Sequence, residues 1–182
     1  MPENLIVWFE TIFNVIYLIA IWLIVFVMIK NKKAVLPENR RVADLIQLAF
    51  IVLAVGDTGH VGFRVLTTLL GESNAEVMFF GAPMSWLGLG MLITAYTVTL
   101  FYMIFVYVWK ARYKKSDTWF TNLLLAIGVV RLIFMALPGN QWGGAVPARP
   151  INLYRNLPLL LQGIGIVGLI FWDAYRAKDS TT

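Results

Sequence analysis

Residues 5–29, LIVWFETIFNVIYLIAIWLIVFVMI, contain a single acidic or basic side chain, Glu10. At about 1.5 Å of rise per residue, a helix over such a run crosses the roughly 30 Å hydrocarbon layer of a bilayer. In lipid every backbone polar group must be satisfied internally, and a helix does this without help from other segments. Four further apolar blocks follow, at about 42–70, 82–108, 118–137 and 158–175, separated by short stretches rich in charge, glycine or proline. Apolar residues make up 59% of the chain, against about 45–50% in soluble domains, and the excess lies in those blocks. The chain therefore reads as one integral membrane domain over residues 1–182, an all-α bundle of five transmembrane helices. Met1, Pro2 and Glu3 precede the first block where a signal peptide would carry basic residues, and no small-residue cleavage site follows it. It reads as a retained span.

The formal charge of +5 does not point to nucleic acid, because the basic residues flank the spans. The segments 30–41 and 109–117 and the tail after 175 together hold 11 lysines and arginines, and the opposite side holds only Arg149 and Arg155. By the positive-inside rule the N-terminus lies outside and the C-terminus inside, with the plasma (inner) membrane as the expected location. Asp44 and Asp173 then fall near the inner interface as capping or charge-balancing residues.

With no cysteine and one histidine, thiolate chemistry, disulfides, HExxH sites and multi-histidine metal centres are excluded. No metal or cofactor is expected. An odd number of spans without an internal repeat argues against an inverted-repeat transporter.

Function has to be sought in the polar residues within the spans, where each charge costs several kcal/mol against lipid. The second span carries Asp57, His60 and Arg64 at i, i+3 and i+7, on one side of a helix. Counting rise from the inner end puts Asp57 roughly 22 Å up and His60 roughly 27 Å up, with Arg131 of the fourth span roughly 20 Å up. Glu10 and Asn14 of the first span and Gln162 of the fifth fall in the same outer half. The expected partner of Arg131 is Asp57, with Glu10 second. Glu10 with Arg64 is another candidate pair, although Arg64 can also snorkel to headgroups. His60 either bonds across helices or exchanges protons, as its pKa near 6.5 allows.

Gly56, Gly59, Gly62, Gly163 and Gly165 leave little side-chain bulk near these groups. The segment 139–157, with its prolines and glycines, reads as an aperiodic cap over them. Asn140, Trp142 and Arg155 of that cap join Asn14, Gln162, Arg64 and Arg131 as candidate binding residues, and Asp57, His60 and Glu10 are the candidate acid–base groups. Forked arginine donors suit phosphate or carboxylate oxygens. The leading expectation is a small intramembrane acid–base enzyme acting on a membrane lipid or other amphiphilic molecule with an anionic head. A proton-linked transporter or channel, expected as a homo-oligomer, and a membrane sensor or binding protein are the alternatives.

Overall fold

A computed structural model describes residues 3–70, 76–79, 82–137, 140, 142 and 149–179. Five helices are long and apolar enough to cross a membrane: α1 (Glu3–Lys30), α2 (Arg40–Leu70), α3 (Trp86–Tyr113), α4 (Trp119–Ala136) and α5 (Arg149–Asp179). They form the polytopic bundle expected of the sequence. Helix α3 is the hub. It packs against α2, α4 and α5, α4 also packs on α5, and α1 sits at the edge with α2 as its main neighbour. Most large apolar side chains of α1 are exposed, among them Phe9, Phe13, Ile16 and Phe26, as a lipid-facing helix requires.

The connection between α2 and α3 differs from the expected start of the third span at 82. Between α2 and α3 lies an antiparallel hairpin, β1 (Glu76–Phe79) with β2 (Ala82–Ser85), pairing Glu76 with Ser85 and Val77 with Met84. Pro83 therefore sits in an edge strand, where a missing N–H is tolerated, and does not open a helical first turn. Helix α3 starts four residues later than expected, where the Ser85 hydroxyl accepts from the Gly88 N–H, an N-cap that satisfies one of the free donors of the first turn. It ends at Lys114, whose left-handed backbone (φ 51°) turns its N–H back to the Lys110 carbonyl.

Two other boundaries differ from expectation. Thr118, in place of Ser116 or Asp117, caps α4 through a reciprocal bond pair with Thr121. Helix α5 begins at Arg149 and carries Pro158 inside it, so residues 149–157 are helix and not aperiodic cap. Pro150, in the first turn, is the proline compatible with a helix start.

The glycines act mainly in packing. A Cβ at Gly56 or Gly59 would strike Thr97 or Ile93 of α3, and one at Gly90 would come within 2.8 Å of the Gly59 carbonyl oxygen. The notch of α2 is thus filled by α3. Gly165 likewise makes room for Leu124. Gly56, Gly59 and Gly165 do not leave open the space attributed to them, whereas Gly62 has nothing within 4 Å of an added Cβ.

Inside α3, α4 and α5, polar residues occupy a layer between two apolar clusters. Met84, Leu92, Met135 and Trp142 form one cluster, and Val106, Leu124 and Ile166 form the other. Thr99 and Arg131, both buried, fall between them along α3 and α4, and the buried Gln162 of α5 lies beside Leu124 at the edge of the second.

Candidate functional site

Arg131 is 2% exposed and spends its guanidinium on backbone and hydroxyl oxygens of two neighbouring helices. Its Nε donates to the Arg155 carbonyl at 2.8 Å and its Nη1 to the Ala95 carbonyl at 2.7 Å and to Thr99 Oγ1. Thr99 in turn donates to Ala95 O. The expected pairing with Asp57 or Glu10 is absent. The ion pairs among the described residues are Lys32–Asp44, Arg64–Glu10, Lys110–Asp117 and Lys115–Asp173, and none includes Arg131. Nη2 has no protein partner among the described residues.

Arg155, 5% exposed, is also without a carboxylate partner among the described residues. One terminal nitrogen donates to the Asn140 carbonyl, the guanidinium lies 3.6 Å from the Trp142 ring centroid, and Nε is buried without a partner. Asn140 donates through Nδ2 to the carbonyls of Phe134 and Leu137 at the end of α4, and the Trp142 indole donates to Met135 O at 3.1 Å. The two residues thus fasten the end of α4 to the start of α5, holding Arg155 where it meets Arg131.

The carboxylates go elsewhere, for a geometric reason. Positions i and i+7 lie about 20° apart around a helix, while i+3 lies about 60° away. Asp57 and Arg64 therefore both face α1. The Tyr17 hydroxyl donates to Asp57 Oδ2 at 2.9 Å, and Arg64 stands 3.9 Å from Glu10. His60 is turned toward α3, with its Cα close to Gly90. The single polar side expected of α2 is split between two neighbours. Asn14 lies partly exposed on α1. Gln162 is fully buried and donates to the Leu124 carbonyl at 3.2 Å, with Oε1 unpartnered; it belongs to the polar layer and not to the cavity wall described next.

A cavity of about 410 Å³ opens between α2, α3, α4 and α5, lined on its polar side by His60, Arg131, Trp142, Asn152, Arg155 and Asn156 and on its apolar side by residues such as Met91 and Leu159. Four of the sequence candidates come together here, namely His60, Arg131, Trp142 and Arg155. Asp57, Glu10, Asn14, Arg64, Gln162 and the Asn140 side chain do not line it. Asn152 and Asn156 are new. They lie four apart and flank Arg155 on one helical face, a pattern that a helix starting at Pro150 would have exposed. Among the described residues no three His, Asp or Glu side chains gather where they could hold a metal ion.

The chemical character of the cavity is cationic and rich in donors. Two guanidiniums, two amides, an imidazole and an indole face, with no carboxylate among the described lining residues, make a wall whose donors suit oxygen anions. No protein-family model, no curated protein and no solved structure matches this chain.

Proposed function

We propose that this membrane protein binds the anionic head of an amphiphilic molecule in the cavity between α3, α4 and α5, with Arg131 and Arg155 as its cationic wall. One observation carries the reading: two buried guanidiniums line the same cavity and, among the described residues, neither has a carboxylate beside it. Carbonyl oxygens satisfy hydrogens without supplying charge, and a buried charge that lacks a counter-ion costs several kcal/mol. An incoming phosphate, sulfate or carboxylate supplies the missing charge, and the arginine forks match its oxygens. Asn152 and Asn156 add amide donors at the mouth.

Turnover is the second reading, favoured by His60 on the cavity wall, because an imidazole there can give a proton to a bound head or take one from it. An acid–base enzyme of this kind would work without Asp57 and Glu10, which face α1. The apolar cluster Val106, Leu124 and Ile166 on the far side of the polar layer favours a dead-end site over a transport path. In this reading the N-terminus is outside and the cavity opens in the outer half of the plasma membrane, as the distribution of basic segments supports.

The test is mass spectrometry of lipids that co-purify with the protein. An anionic amphiphile should accompany the parent at near one per chain and be lost from Arg131→Gln, which retains hydrogen-bond donors but not the charge. Identical lipid content in a monodisperse parent and variant overturns the proposal.

A further inference from the structure

From the polar cavity an apolar groove of about 820 Å³ runs along α5, walled on its other side by Tyr102 of α3. Leu157, Leu160, Ile164, Val167 and Phe171 lie along it, spaced three and four apart and all exposed, so they form a continuous stripe on one helix face. Gly163 and Gly168 lower the stripe into a trough. Gly163 lies against the Tyr102 ring, whereas a Cβ at Gly168 would meet nothing within 4 Å. Asn156 and Leu159 line both the polar cavity and the groove, so the two are continuous.

We infer that the groove seats the hydrocarbon tail of the same ligand, which makes the ligand class long-chain amphiphiles with one anionic head that enter sideways from the bilayer between α3 and α5. The inference rests on the reading of the cavity as an anion site and goes beyond it by fixing where the tail lies and how the ligand arrives. From Asn156 to Phe171 the groove extends about 22 Å at the rise of a helix. That is most of the hydrocarbon thickness, so a long tail fills it and a short one does not. Its direction, along α5 and away from the arginines, keeps the tail parallel to the spans while the head stays against Arg131. A freely soluble anion would gain nothing from such a trough, because its walls offer only apolar surface.

Binding of hexadecyl phosphate and butyl phosphate to the protein in phosphatidylcholine nanodiscs, corrected for uptake by empty discs, tests this. The parent should hold hexadecyl phosphate at least about tenfold more tightly, a difference of about 1.4 kcal/mol. Gly168→Leu fills the trough at a position with free space. It should fold as the parent does, bind butyl phosphate unchanged and lose most of the chain-length preference. Equal affinities of the parent for the two phosphates, or an undiminished preference in Gly168→Leu, overturn the tail groove and leave the head site standing. Unchanged binding of both phosphates by Arg131→Gln overturns the head site itself, and the tail assignment falls with it.

Discussion

The seam between α1 and α2 and the layer inside α3, α4 and α5 both place charged groups within membrane-length helices, and they treat them in opposite ways. At the seam Glu10 faces Arg64, the Tyr17 hydroxyl donates to the partly exposed Asp57, and Trp22 donates to Thr58. The side chains of Glu10 and Arg64 are each 56% exposed, and the pair is loose. In the inner layer two arginines are almost wholly buried and, among the described residues, have only carbonyls, a hydroxyl and an aromatic face as partners. Cross-helix pairs at an exposed seam hold one helix beside another. Cations on a cavity wall without a carboxylate among the described residues have capacity left over, and in the proposed reading an anionic ligand uses it.

The strongest way to break this contrast is to remove charge on each side separately. A hydrogen bond to a charged group is worth roughly 1.5–3 kcal/mol, so Arg131→Gln should weaken binding of an alkyl phosphate by about ten- to a hundredfold. Asp57→Asn and Glu10→Gln should leave that affinity within about threefold. Comparable losses from a seam variant in a binding titration would show that the carboxylates belong to the site after all.

Packing sharpens the comparison at the α2–α3 contact. Gly90→Val places atoms against the Gly59 backbone, and forcing extra bulk into such a contact costs typically about 1–3 kcal/mol. A clear drop in the thermal midpoint of the detergent-extracted protein is the expected outcome. Gly62→Ala, at a position with nothing within 4 Å, should leave it unchanged or slightly raised, since alanine is the better helix former. Similar drops for both variants would refute the close approach at Gly90.

The smallest effect belongs to the exposed pair. Arg64→Gln should shift stability by no more than about 1 kcal/mol, the range of exposed ion pairs. A loss as large as that of Gly90→Val would mean that the α1–α2 seam is a rigid part of the fold.

Helix number and approximate spans were legible because apolar length is a coarse and redundant signal. The hairpin was not, since Glu76–Phe79 and Ala82–Ser85 are only four residues each and Pro83 reads as readily as a first helical turn. Pro158 misled for the opposite reason. A proline usually marks a boundary, but in a long membrane helix the neighbours can accommodate it. Placing the start there hid the stripe Asn152, Arg155, Asn156 and Leu159 that forms one side of the cavity. Arg131, Arg155 and His60 stood out as ionisable groups in or beside apolar spans. Their partners did not, because carbonyl oxygens such as Ala95 O and Arg155 O leave no mark in side-chain identity, and because a 60° difference around α2 separates His60 from Asp57.

Whether Arg131 and Arg155 jointly receive an oxygen anion can be read from anomalous diffraction of lipid-grown crystals soaked in arsenate. An arsenic peak is expected in the cavity, about 3–4 Å from the Arg131 and Arg155 guanidiniums, as charge-assisted contacts to its oxygens require. Peaks confined to the basic segments near Lys32 and Lys114, with Arg131 closed against protein groups alone, would contradict it.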